Sequence, residues 1–179
     1  MDQLKITIAL VMAILLQWTL RGVAEPFAYL DLPLIIVVYA ALQRDAIKAI
    51  FFGTFAGLAV DALSGGLLGS NAFAKTLIAY IVSEIARRVY MDNLLLRIPV
   101  IAGACLVDDL VYYGLHRLLG QEPEGNLLLV VSYTLIGTTI AGTFIYIILD
   151  YVLVEKKRAR KPEFFSNRRQ TRRKNPIRF

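Results

Sequence analysis

The sequence predicts an all-α, polytopic membrane protein: six transmembrane helices in one bundle, with the N- and C-termini in the cytoplasm. Three observations predict it. Of 179 residues, 57% are hydrophobic and 19% charged, whereas ordinary globular domains are less apolar and more charged. The apolar residues come in long runs rather than amphipathic stripes, which favours spans over soluble helices. The basic residues collect in alternate gaps between those runs, the asymmetry of the positive-inside rule.

A spanning helix needs about 20 mostly apolar residues. The first run, 6–20, is extendable at both ends. It has the length of a signal-peptide core, and Gly22-Val23-Ala24 offers small residues for cleavage. However, Lys5 is a meagre basic region and Arg21 stands in the wrong place, so a retained first helix is expected. The second run, 32–42, is short and bounded by Asp31 and by Gln43-Arg44. Asp31 followed by Pro33 is the pattern of a helix start, an N-cap oxygen and then a proline in the first turn. This element is either short or begins near Pro26 with Asp31 inside it. The third run covers 46–63, and the fourth 71–90 with Asn71 as candidate N-cap. The fifth covers 98–119, and the sixth, 127–154, is long enough to project beyond a bilayer. Residues 1–154 thus form the transmembrane domain. Residues 155–179 form a basic tail with no hydrophobic periodicity, expected to be disordered in isolation.

Orientation follows from the basic residues. Counted from an inside N-terminus, the inside gaps hold Lys5, then Arg44 and Lys48, then Arg87, Arg88 and Arg97, then the tail. The outside gaps hold Arg21 with Glu25 and Asp31, the neutral Ser64-Gly65-Gly66, and the acidic Gln121-Glu122-Pro123-Glu124. The net charge of +6 is therefore local: the tail carries +9 and the rest of the chain −3. A tail tethered to a span meets anionic lipid headgroups before nucleic acid. Lys156, Lys157, Arg158, Arg160 and Lys161 are accordingly assigned to lipid or a cytoplasmic partner, and no nucleic acid is expected. Cys105 alone forms no intrachain disulfide, and with only His116 beside it there is no metal-ligand set. No cofactor is expected.

One stretch, "GTFAGLAVDALSGGLLGSNAFAK" (53–75), places an aspartate, an asparagine, a lysine and repeated glycines where lipid should be. Gly53, Gly57 and Asp61 share one face of the third helix at i, i+4 and i+8. A GxxxG face lets a second backbone come close, because lipid supplies no hydrophobic drive between helices. Gly65, Gly66 and Gly69 then break the chain, and irregular backbone at that depth is tolerated only where protein or a wet cavity surrounds it. Lys75 falls one turn into the fourth helix, near the depth of Asp61, so an Asp61–Lys75 pair is expected. Two compatible readings follow. The glycines pack helices within the subunit and the ion pair fixes the hairpin; or Gly53, Gly57, Asp61, Gly69, Asn71 and Lys75 form a docking site for a helix of another membrane protein.

The segment "GLAVDALSGGLLGSNAFAKTLIAYI" resembles the rod shape-determining protein MreD family of bacteria. The matching features are Gly57 and Asp61 closing one apolar helix, then Gly69, Asn71, Ala72 and Lys75 opening the next. The resemblance implies a non-enzymatic subunit of the cell-elongation machinery in the bacterial inner membrane. It further implies association with an MreC-like bitopic membrane protein. Through that partner it would reach an MreB-like filament and the elongation glycosyltransferase/transpeptidase pair of peptidoglycan synthesis.

Asp108 and Asp109, in "CLVDDLVYYGLHRLLG", are the most costly residues of the spans: one aspartate near mid-bilayer costs about 2.5–3.5 kcal/mol on insertion scales. Neighbours on a helix point about 100° apart, so both cannot share one partner equally. Asp109, Tyr113, His116 and Arg117 share a face, whereas Asp108 and Tyr112 point elsewhere. The open readings are a hydrogen bond to tyrosine or backbone, a pair with a base from another helix, a contact with a partner subunit, or a proton or solute path. His116 has no serine or cysteine nucleophile near it in sequence, and Arg117 beside it suggests an outer-interface anchor. Glu84 with Arg87 and Arg88 makes i+3 and i+4 pairs at a helix end. Gly137 and Ala141, beside Thr138 and Gly142, form a small-residue packing seam.

The chain lacks a nucleophile–base pair, a metal set and a phosphate-binding loop, so an enzyme ranks last. The leading expectation is a scaffold holding partner helices. The alternative is a substrate-binding membrane subunit of a vitamin-type uptake transporter, with Asp31, Asp109 or Asn71 as ligand contacts.

Overall fold

A computed structural model describes residues 2–22, 29–89, 94–120 and 127–158. Among these residues every regular element is an α-helix: α1 (Asp2–Arg21), α2 (Leu32–Ala41), α3 (Ala46–Ser64), α4 (Ser70–Arg88), α5 (Leu94–Leu118) and α6 (Leu127–Arg158). Four contain a stretch long and apolar enough to cross a membrane: Gln3–Leu20, Ala46–Ser64, Leu96–Leu118 and Leu128–Leu149. Their outward faces carry large apolar side chains, among them Leu15, Phe51, Phe55, Leu110, Ile140 and Phe144. In water such surface would be an aggregation hazard; in lipid it is the expected solvent-facing surface.

The short second run resolves as the ten-residue helix α2, with Asp31 as its N-cap and Pro33 in its first turn. Asp31 is thus at the helix boundary and not inside a longer helix. At 1.5 Å rise per residue α2 covers about 15 Å, roughly half a bilayer core. Every one of its residues is buried, and it touches each of the other five helices. A helix apolar on all sides belongs inside other protein, and here α2 is the axis on which the others pack. Its Val37, Val38 and Ala41 are fully enclosed by a core drawn from α1, α3, α4, α5 and α6.

α3 and α4 form an antiparallel hairpin. The structure starts α4 at Ser70 with Gly69 as N-cap residue, so Asn71 is the second residue of the helix and not its cap. Gly65 (φ +67) and Gly69 (φ +102) bracket the turn in left-handed backbone, which glycine adopts without a Cβ clash. Two further boundaries move. α5 begins at Leu94 and carries Pro99 within it. α6 continues to Arg158, so its helix takes in Lys156, Lys157 and Arg158 of the segment expected to be disordered. Arg160 and Lys161 lie outside the described residues.

The polar ends agree with the sequence pattern. Arg87 Nη1 lies 3.2 Å and Arg88 Nη2 3.9 Å from the Glu84 carboxylate, the i+3 and i+4 pairs of a helix end. Arg87 Nε also donates to Arg44 O (3.4 Å), joining the end of α4 to the α2–α3 turn. At the same end Arg97 lies over the Tyr146 ring, 4.6 Å from its centroid, and Tyr146 packs on Tyr39 of α2 at 5.1 Å.

Candidate functional site

The site is built on the buried start of α2. A helix N-terminus leaves its first backbone N–H groups without intrahelical partners, and inside a membrane bundle each must find one. Asp31 N–H donates to Thr138 Oγ1 of α6 (3.2 Å), and Leu32 N–H donates to Gln17 Oε1 of α1 (3.0 Å). Pro33 has no N–H to satisfy. Leu34 N–H donates to Asp31 Oδ1 at 3.0 Å. The half-helix therefore starts at depth with its donors satisfied by α1, α6 and its own cap. Gln17 and Thr138 are both buried. Sequence reasoning left them out of the site, although a lone glutamine within an apolar run was a usable signal.

The second carboxylate oxygen of Asp31 receives Lys75. Lys75 is fully buried, with Nζ 2.6 Å from Asp31 Oδ2 and 2.9 Å from Asp108 Oδ2, and it also donates to Asn71 Oδ1 at 3.5 Å. An ammonium has three donors and no acceptor, so its capacity is filled by α2's cap, by α5 and by its own helix. One cation thereby ties three elements together. Burying such charges is tolerated because each has a partner; removing one partner leaves an uncompensated charge, which costs about 3–5 kcal/mol.

Asp61 does something different from what its spacing suggested. It does not pair with Lys75. Its Oδ2 accepts from Gly69 N–H (2.8 Å) and Ala72 N–H (3.2 Å), and its Oδ1 from Asn71 N–H (3.2 Å), Asn71 Nδ2 (2.8 Å) and Ser70 Oγ (3.4 Å). A carboxylate from the last turns of α3 thus caps the first turn of α4, where the orphan donors and the positive end of the helix dipole favour an anion. Asn71 links the two arrangements: its Nδ2 donates to Asp61 and its Oδ1 faces Lys75.

Gly53 and Gly57 bring the two helices to that distance. A Cβ on Gly57 would lie 2.3 Å from Ala72 Cα, and one on Gly53 would lie 2.6 Å from Lys75 O. The socket that the GxxxG spacing describes is filled by α4 of the same chain, the packing half of the first sequence reading without the ion pair that reading expected. Nearby, Thr54 and Thr76 hydroxyls meet at 2.8 Å across the same seam. Of the six residues singled out in this hairpin, Asp61, Gly69 and Asn71 share the α4 cap, Gly53 and Gly57 pack on α4, and Lys75 reaches away to α2 and α5.

Asp108 and Asp109 separate as the helix angle requires. Asp108 faces inward to Lys75, the pair with a base from another helix, while Asp109 is half-buried beside Tyr113 on another side of α5. Asp108 Oδ1 and Asp109 Oδ2 are buried without a hydrogen-bond partner among the described residues. His116 is buried and stacks on Tyr112 at 4.2 Å, with Nδ1 3.0 Å from Tyr112 O. Its ring is occupied locally, and Arg117 next to it is exposed. In α6 the packed seam is Thr138 and Gly142, one position round from Gly137 and Ala141. Thr138 is fully buried, and a Cβ on Gly142 would meet Ile101 at 3.0 Å, whereas one on Gly137 meets nothing within 4 Å.

Comparison with curated proteins and with solved structures yields no match. A family model described as rod shape-determining protein MreD matches residues 3–156, which takes in all six helices up to the last residues of α6, the capped hairpin and the Lys75 cluster. This chain belongs to the MreD family of rod shape-determining proteins.

Proposed function

We propose that the chain is a non-enzymatic scaffold subunit of the cell-elongation machinery in the bacterial inner membrane. It holds an MreC-like bitopic protein and, through it, couples an MreB-like filament to the glycosyltransferase/transpeptidase pair of peptidoglycan synthesis. Family membership supports a role in rod-shape determination. The observation that carries the scaffold reading is the use of the buried polar groups. Lys75 fills its donors on Asp31, Asp108 and Asn71, and Asp61 fills both oxygens on the start of α4. Such groups set the shape of a bundle.

In this reading six spans leave both termini in the cytoplasm, α2 crossing only partway and α4 carrying its lysine through the interior. Gly53, Gly57, Asp61, Gly69, Asn71 and Lys75 serve docking by fixing the α3–α4 hairpin. The partner helix rests on the outer side of that hairpin, where Phe51, Phe55 and Leu58 are exposed on one face of α3. Lys156, Lys157, Arg158, Arg160 and Lys161 lie against anionic headgroups or a cytoplasmic partner.

The test is recovery of the MreC-like protein with the full-length chain in mild detergent. The wild type is expected to retain it, and Phe55→Ala with Leu58→Ala to lose it while the chain elutes unchanged. A wild-type chain that retains no bitopic partner overturns the scaffold reading.

A further inference from the structure

Away from the buried cluster, a cavity of about 340 Å³ opens between the start of α1, the end of α2 and the start of α3. Ile6, Ala40 and Phe52 give it an apolar floor, while Gln3, Gln43, Asp45 and Lys48 form its rim. The size is that of a small-ligand pocket. Its position is the level where helices end: the α2–α3 turn, the N-cap of α3 and the arginines closing α4 all meet here. The apolar stretches of α1 and α3 begin at this level, at Gln3 and Ala46, so in a bilayer that they cross it falls in the headgroup layer, where a cleft between spans is open to lipid.

The rim combines opposite charges. Asp45 accepts from Lys48 N–H at 3.3 Å as the N-cap of α3 and is ion-paired with Lys48 Nζ. Both side chains are substantially solvent-exposed, and Gln43 is exposed. A lone anion would meet the Asp45 carboxylate, and a lone cation would meet Lys48. A zwitterion with a phosphate and an ammonium a few bonds apart satisfies both, and the two glutamine amides add donors and acceptors. The ammonium must itself donate hydrogen bonds to engage a carboxylate and amide oxygens closely. A primary amine does this and a trimethylated one does not.

The rim is also held in place. Arg44 has φ +68, a left-handed conformation that costs a non-glycine residue about 1–3 kcal/mol and persists only where its surroundings enforce it. Its carbonyl is held by Arg87 and its N–H donates to Ala41 O at 3.1 Å. Gln43 and Asp45 flank it, so the rim is shaped before any ligand arrives.

We propose that this cleft binds the headgroup of a phosphatidylethanolamine, with the phosphate on Lys48, the ammonium on Asp45 and the glycerol carbons over Ile6 and Phe52. The assignment depends on the scaffold reading only for which leaflet supplies the lipid.

The test uses the full-length chain in detergent, analysed by native mass spectrometry. It is titrated with phosphatidylethanolamine, phosphatidylcholine and phosphatidylglycerol of the same acyl chains, and separately with soluble phosphoethanolamine. Phosphatidylethanolamine is expected to be retained about tenfold better than either of the others, corresponding to about 1.4 kcal/mol. Lys48→Gln should remove most of that retention. Asp45→Asn, which keeps an N-cap oxygen, should erase the preference over phosphatidylcholine. Both variants should keep the wild-type thermal midpoint. Equal retention of the three lipids overturns the proposal, as does unchanged selectivity in both variants. Displacement of the lipid by an equal concentration of soluble phosphoethanolamine overturns the assignment to a membrane lipid. These outcomes are read without any bitopic partner present, so they are independent of the scaffold test.

Discussion

Lys75 Nζ lies 2.6 Å from Asp31 Oδ2, joining the second turn of α4 to the cap of the half-helix α2 across 44 residues of sequence. With Asp108 at 2.9 Å on the other side, this contact anchors the element on which every other helix packs. Lys75→Met should therefore lower stability by about 3–5 kcal/mol, because two buried carboxylates lose their cation. Adding Asp31→Asn and Asp108→Asn to the same chain should recover part of the loss. Thermal unfolding in detergent, followed by circular dichroism, checks both, and a Lys75→Met chain as stable as the wild type would show that the cluster does not hold the fold.

Glycines in two settings predict opposite behaviour. Gly57→Val places side-chain atoms where Ala72 backbone already stands, and neither helix backbone can give way cheaply; the expected cost is at least about 1–3 kcal/mol, with loss of monodisperse protein on size exclusion. Gly103→Val and Gly114→Val meet open space and should leave elution and stability unchanged.

The Asp61 cap makes a local prediction. Asp61→Ala strands the part-buried donors of Gly69 and Asn71 and the buried one of Ala72, and a fully buried donor left unsatisfied costs about 1–3 kcal/mol. Hydrogen exchange should accelerate at those amides first, ahead of the rest of α4. Asp61→Asn keeps one acceptor oxygen and should fall between. Equal exchange in all three chains would sink the cap assignment.

A pH effect is expected at the α2–α3 turn. Hydrogen bonds from the Lys48 side chain and backbone hold the Asp45 carboxyl below its ordinary value of 3.8. A depressed carboxylate contributes stability that is present above its ordinary range and is lost as pH falls through the lowered folded value. Protection of the Lys48 amide, measured against an unstructured amide at the same pH, should thus persist through the ordinary aspartate range and be lost only below it, an effect of the first turn of α3 alone and absent in Asp45→Asn.

Parts of this were legible in the sequence. Asp31 with Pro33 marked the start of α2, Glu84 with its arginines marked the end of α4, and the glycine spacing marked the close face of α3. Each is a pattern within one helix or turn, where distance along the chain equals distance in space. The partner of Lys75 was not legible. Depth alone made Asp61 the obvious choice, yet the orphan donors at the start of α4 compete for that carboxylate and win it, which leaves Lys75 to reach carboxylates on α2 and α5. The same limit explains why Gln17 went unnoticed, why Thr138 was placed beside a packing seam and not at the start of α2, and why the α6 seam fell one residue from Gly142. Rotation about a helix axis depends on neighbours that the sequence does not order.

By itself, then, the amino-acid order determined a helical membrane protein, the order of its helices, a short second segment and a close-packed glycine hairpin, because hydropathy and helix termination act over a few turns of chain. Only the tertiary structure decided which carboxylate meets Lys75, that Asp61 caps a helix, and that α2 sits enclosed at the centre. Those outcomes follow from competition among buried donors and acceptors on different helices. In a low-dielectric interior each group must find a partner there or not be buried at all.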